Sequence, residues 1–263
     1  MVAVAVIAAV LLGPVVVDVL SVVGRLWLGP DPGGRAERGV VVFVESIRWL
    51  GVRWGMRSVA VGLRRAGFEG EFVYWRWHAT WRGWLVLPAI MDARLLEREA
   101  RRLAAYVARR QRGAGGAPIY LVGYSCGGYL AVRALELLPA GVKVRSAALL
   151  AAAVDPKRDL GPARARLSGP LVVASSVLDW LIVGAGTLLA GTGDRRHTPS
   201  AGMVGLRRPC EGTVEIRWRP GLIGAGHFGG HFSASAVGFI ERHVAPAMGI
   251  GPPGTGEQRS GAV

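Results

Sequence analysis

The chain is poor in cysteine and in acidic residues. Only Cys126 and Cys210 are present, which argues against a disulfide framework. There is no CxxC pair and no His/Cys cluster at zinc spacing, so no metal is expected, and no other cofactor is indicated. Asp and Glu number 18 against 32 Lys and Arg, a formal net charge of +14. The basic residues are almost all Arg, and no block of five or more stands together. Such scattered charge reads as solvated helix faces and gives no footprint for nucleic acid. Attraction to anionic lipid is the second reading, because a Lys or Arg beside a membrane anchor gains about 1 kcal/mol at such a surface.

Charged residues make up only 19% of the 263 residues and hydrophobic ones 51%. That length holds one full-sized α/β domain with short additions and buries a substantial core. Much of the apolar surplus lies at the N-terminus, where residues 1–28 form a hydrophobic segment. From Val2 to Val23 it is broken only by Gly13, Pro14, Asp18 and Ser21. It has the length of a bilayer-spanning helix and reads as a membrane anchor. Asp18 costs about 2.5–3.5 kcal/mol near the centre of a span and Pro14 kinks a helix, which leaves a hydrophobic hairpin or interfacial segment as the alternative. No basic residue precedes the run, which speaks against a cleaved signal peptide. Arg25, Arg35 and Arg38 follow it, so the expected location is membrane-associated with the main domain cytoplasmic, a soluble cytoplasmic protein being the alternative.

Residues 29–39, GPDPGGRAERG, are a breaker-rich linker. Residues 40–248 then read as an alternation of short Val-rich strands and amphipathic helices. Strands are expected at Val40–Val44, Phe72–Trp77, Ile119–Gly123, Val144–Ala152, Leu171–Ser175 and Val214–Trp218. Helices are expected at Val52–Ala66, Ala93–Arg112, Gly128–Leu138 and Ala234–Val244. The order is that of a mostly parallel sheet with helices on both faces, whose sites form at the carboxyl ends of the strands. Residues 249–263 are Gly/Pro-rich and read as a disordered tail. The sequence carries no signal for an oligomeric state.

Gly123-Tyr124-Ser125-Cys126-Gly127 matches G-x-S-x-G, in which a serine stands on a sharp turn from strand to helix. With 39 glycines in the chain the match alone says little. Its context says more: the buried-type strand Ile119-Tyr120-Leu121-Val122 precedes it and the apolar helix start Gly128-Tyr129-Leu130-Ala131-Val132 follows.

On these residues the chain resembles the α/β-hydrolase family, from Val40 to the last helix. The resemblance implies a Ser125 nucleophile followed in chain order by an acid and a histidine, because a serine hydroxyl needs an imidazole to take its proton and a carboxylate to orient that imidazole. For the acid, Asp179 follows the strand Leu171–Ser175. Asp155, after Ala147–Val154, is the alternative, and Asp194 in GTGDRRH comes last. For the base, His227 and His231 both lie between the last strand and the last helix. His227 is preferred, since it directly follows Gly226 soon after the strand, and His231 is the alternative. The resemblance also implies an oxyanion hole made by the N–H of Cys126 and a second N–H from the loop after the first strand, with Ile47 preferred and Ser46 next. Relatives carry His-Gly where this chain has Glu45-Ser46, and Glu45 offers itself instead as a buried partner for an Arg such as Arg48.

Trp75, Trp77, Trp81 and Trp84 cluster just past a strand end and read as packing beside the sheet, or as an apolar wall for an acyl chain or an interfacial belt. Trp180–Pro209 reads as a candidate lid. The implied function is a serine hydrolase that cleaves a carboxylic ester or related acyl compound, lipase-like or thioesterase-like, on a small-molecule substrate. The alternatives are an acyltransferase with the same triad and a non-catalytic binding protein with the same fold.

Overall fold

The computed structural model describes residues 2–23, 25, 28–29, 31, 33–45, 55–77, 86–113 and 115–251, and the side chains of the N-terminal helix from Leu12 onward, Pro14 excepted. Six strands form one sheet, β1 (Val40–Val44), β2 (Glu71–Trp75), β3 (Ile119–Tyr124), β4 (Ser146–Leu150), β5 (Leu171–Ser175) and β6 (Thr213–Arg217), in the order β2-β1-β3-β4-β5-β6. Every pairing is parallel. The parallel sheet covered on both faces is therefore the architecture that the strand and helix alternation predicts.

Alternation along each strand divides the core between the two faces. Val40, Val42, Val44, Ile119 and Leu121 point toward α4 (Ala93–Gly113) and α5 (Cys126–Glu136), where they meet Leu96, Leu103, Val107, Leu130 and Leu135. Val41, Phe43, Tyr120 and Val122 point to the other face and meet Val59 and Leu63 of α2 (Met56–Arg65) and Phe239, Ile240 and Val244 of the last helical stretch. β1, β3, β4 and β5 are buried along their whole length and carry near-continuous apolar runs, whereas the two edge strands β2 and β6 are only partly covered.

Element bounds shift where capping or strain decides them. The helix expected from Gly128 begins at Cys126, directly after the serine. The last helix does not start at Ala234. A 3-10 turn, Phe232–Ser235, comes first, Ala236 is extended at φ −62°, ψ 139°, and helix resumes at Val237. Two helices without a strong periodic signal also occur, α3 (Val86–Met91) and α6 (Gly161–Arg164), the latter opened by Pro162 in its first turn. Trp180–Pro209 contains helical turns at Leu181–Gly186, Thr187–Ala190 and Ala201–Val204. The Thr187 hydroxyl lies 2.7 Å from the Val183 carbonyl and 2.8 Å from the Thr198 carbonyl, so its one proton is shared between the first of these turns and the segment after the second.

The N-terminal segment is helical over the whole apolar run, as α1 (Val2–Val23). Among the described residues no helix is long and apolar enough to cross a membrane. In the last turns of α1 Asp18 and Val22 are buried against the domain, Asp18 with 3% of its surface exposed, while Val16, Val17, Val19, Leu20 and Val23 stay exposed. The 29–39 segment is also held down: Arg64 donates to both carboxylate oxygens of Asp31 at 2.8 and 2.9 Å, and the Arg35 amide donates to the Glu69 carbonyl.

Candidate active site

Ser125 stands where β3 turns into α5, at φ 57° and ψ −124°. That is a left-handed backbone on a residue with a side chain, a conformation that costs on the order of 1–3 kcal/mol and persists only where the surroundings impose it. They do so here through three main-chain bonds: the Ser125 amide donates to the Leu150 carbonyl at 2.9 Å, and the Ser125 carbonyl accepts from Gly128 and Ala153 at 3.0 Å each. The glycines of the motif are needed for space. A Cβ on Gly127 would lie 1.9 Å from the Val44 carbonyl oxygen, and one on Gly123 would lie 2.6 Å from the Gly127 carbonyl oxygen. The end of β1 is thereby pressed against the first turn of α5.

Cys126 is the first residue of α5, so its amide is among those that a helix leaves without an intrahelical acceptor. Its side chain behaves differently. Burial pushes the Cys126 thiol up to about 12, which keeps it protonated at neutral pH. Ile47 and Ser46, the expected sources of a second oxyanion donor, lie outside the described residues, as do Arg48, Trp81 and Trp84. Glu45, at the start of that loop, is buried. Its carboxylate accepts from the Gly55 amide and, at 3.0 Å, from the Tyr74 hydroxyl, while its carbonyl accepts from Trp77 Nε1 at 2.6 Å. Trp77 thus holds the main chain at Glu45, just past β1, and Trp75 packs against Tyr106 at a ring distance of 5.3 Å.

The structure brings Asp179 and His231 together. Asp179 Oδ2 lies 2.7 Å from His231 Nδ1, and both side chains are almost wholly buried. Burial raises the Asp179 carboxyl above the usual carboxylate range, and the His231 contact and the Val183 amide pull the other way. An imidazole that shares its Nδ1 proton with a carboxylate is oriented and presents Nε2 as a proton acceptor. His231 also sits over the residue that precedes the serine: its ring centroid is 5.0 Å from that of Tyr124, and the Tyr124 hydroxyl donates to the His231 carbonyl at 3.1 Å.

His227, preferred as the base on sequence grounds, takes another place. Its Nδ1 lies 3.0 Å from Ser233 Oγ and accepts from the Gly229 amide at 3.3 Å, and its ring packs on Phe239 at 4.5 Å. The reason is the path of the chain. After β6 it makes a 3-10 turn, Pro220–Ala225, and then takes positive φ at Gly226 and again at Gly229. The first reversal turns His227 inward onto the last helix, and His231 follows the second. Burial, with Arg25 and His243 nearby, pushes the His227 imidazole down to about 3, so it stays neutral.

The other acid candidates are engaged elsewhere. The Asp155 carboxylate accepts from the Lys157 amide at 2.9 Å, and Asp194 pairs with Arg158 and accepts from the Asp155 amide. Among the described residues no group of His, Cys, Asp and Glu could hold a metal ion.

No protein-family model matches the sequence, and no curated protein matches it. Among solved structures the chain is similar to a Trichoderma reesei cutinase in complex with a phosphonate inhibitor, at a TM-score of 0.40 and 11% identity over 89% of each chain. It is also similar to a Pyrobaculum calidifontis esterase, at a TM-score of 0.37 and 16% identity over 81% of this chain and 78% of the other. Both likenesses are distant.

Proposed function

We propose that the protein is a serine hydrolase that cleaves a carboxylic ester or a related acyl compound through an acyl-enzyme, with Ser125 as nucleophile, His231 as general base and Asp179 as the group that orients it. One observation carries this reading: a buried carboxylate and a buried imidazole 2.7 Å apart, the imidazole packed against the residue before a serine whose backbone is held in a strained turn. Structural packing alone has no need of a serine in that conformation.

In the proposed reaction Ser125 Oγ attacks the acyl carbonyl as His231 Nε2 takes its proton. Asp179 stabilises the imidazolium that results. The carbonyl oxygen gains negative charge, and the Cys126 amide at the head of α5 is the donor for it, a contribution of about 2.7–4 kcal/mol for one well-placed donor. His231 then returns the proton to the leaving alcohol, and the same groups activate water against the acyl-enzyme. The substrate is a small molecule with an acyl group, and membrane association is no part of the chemistry.

The experiment is labelling of the purified chain with a fluorophosphonate, mapping of the labelled residue, and a screen of p-nitrophenyl esters of graded chain length. Label on Ser125, lost in Ser125→Ala, together with turnover of at least one ester, is the expected result. A wild-type chain that takes no label and turns over no ester would overturn the reading.

A further inference from the structure

The loop that carries His231 is held from outside by the N-terminal helix. Asp18 Oδ2 accepts from the Phe232 amide and Asp18 Oδ1 from the Ser233 amide, both at 2.8 Å. These are the two amides that follow His231, at the first turn of the Phe232–Ser235 3-10 helix, where a helix has donors and no acceptors of its own. Arg25 completes the hold. It donates to the Phe232 carbonyl at 2.7 Å and to Ser235 Oγ at 3.2 Å, and its other amino group donates to Ser21 Oγ at 2.7 Å. Ser21 in turn donates to the Asp18 carbonyl at 2.6 Å. Asp18 and Ser21 fall three residues apart on α1, and Arg25 follows two residues beyond its end.

The fit is close. A Cβ on Gly230 would come within 2.3 Å of Asp18 Cγ, so the residue before His231 is a glycine where the carboxylate approaches. On its opposite side the same backbone is held by Tyr124 through the His231 carbonyl. A buried ionised side chain is expensive unless it is fully bonded, and two amides in the right place are what a carboxylate requires. Anchoring a surface helix does not call for that expense, since apolar contacts such as that of Val22 suffice.

We infer that α1 is a clamp for the general base, and that Asp18 is a positioning residue, which acts on the reaction by fixing the main chain on which the His231 imidazole is aimed at Ser125. This rests on the proposed serine hydrolase reading. It assigns to the N-terminal segment a part in catalysis, with Arg25 and Ser21 as its supports.

The test uses the full chain and its Asp18→Ala and Asp18→Asn variants. Active sites are titrated with a fluorophosphonate, and turnover of the best p-nitrophenyl ester is expressed per titrated site. A misplacement of about 1 Å in a catalytic group costs on the order of 100-fold. Asp18→Ala is therefore expected to lower kcat per titrated site, and the rate of phosphonylation at Ser125, by about that factor, with KM within about twofold. Asp18→Asn keeps an oxygen for one of the two amides and is expected to recover part of the loss; if the alanine variant does not fold, Asp18→Asn is compared with wild type in the same assay. A purely structural role predicts fewer titratable sites with wild-type kcat at each, and that result in either variant overturns the clamp while leaving the hydrolase reading intact. A wild-type chain without label at Ser125 overturns both.

Discussion

The Tyr124 hydroxyl donates to the carbonyl oxygen of His231 at 3.1 Å. The residue before the serine, the last of β3, thus holds the main chain of the residue proposed as base. Burial raises the phenol well above its ordinary range, so Tyr124 remains a donor at every pH at which the fold survives.

The two histidines separate cleanly by mutation. His231→Ala is expected to abolish fluorophosphonate labelling and burst-phase acylation, because the serine would lose its proposed proton acceptor. His227→Ala removes a buried ring packed on Phe239, and is expected to lower thermal stability by a few kcal/mol while Ser125 still labels. Stopped-flow acylation and thermal melts check this, and an inactive His227→Ala beside an active His231→Ala refutes the assignment.

Asp179→Asn keeps the shape of the pair but loses the charge that stabilises the imidazolium. The expected loss in kcat is on the order of 10⁴-fold. Asp155→Asn, whose carboxylate caps the Lys157 amide, is expected to change kcat by less than about twofold. Steady-state kinetics on one ester substrate decide it.

The depressed His227 imidazole has a consequence for stability against pH. The folded chain holds it neutral down to about 3, while the unfolded chain takes up a proton near pH 6.5. Below that value the unfolded state binds more protons, so stability is complete above about pH 6.5 and falls as pH falls, by up to about 1.4 kcal/mol per unit. His227→Asn is expected to be less stable at pH 7.5 yet to lose less between pH 7.5 and 5. Denaturant midpoints at the two pH values measure this, and parallel losses in both proteins contradict it.

Ser125 carries its strain on a Cβ. Ser125→Gly is expected to raise stability by about 1 kcal/mol, relief of the positive φ outweighing the added chain entropy, and to abolish labelling. Ser125→Ala keeps the Cβ, so it is expected to lose activity without that gain. Equal melting temperatures for the two variants would show that the turn is unstrained.

Much of this architecture is legible in the sequence because it is local. Strands buried on both faces must be continuous apolar runs, as Val40–Val44 and Leu171–Ser175 are, and an elbow serine needs small neighbours next to a strand and a helix. The choice between His227 and His231 is not local. It depends on the direction in which the chain leaves two glycines of positive φ, and spacing along a loop carries no direction. Asp18 is a further case. In the sequence it is a polar interruption of an apolar run and counts as a cost to membrane insertion; in the fold its cost is met by two amides far along the chain. The three-residue spacing of Asp18 and Ser21 was the available signal, and the apolar run around them hid it.

The clamp joins residues that lie 214 positions apart, which has a consequence for the order of folding. During synthesis α1 emerges well before the Phe232–Ser235 turn exists, so Asp18 and Arg25 stay in water and Val22 stays uncovered while the whole sheet is made. Contacts of such separation form late, once the intervening chain has lost its freedom. The strands are therefore expected to form first and the proposed base to be aligned last, so that in a refolding experiment activity returns after the sheet, in step with the docking of α1.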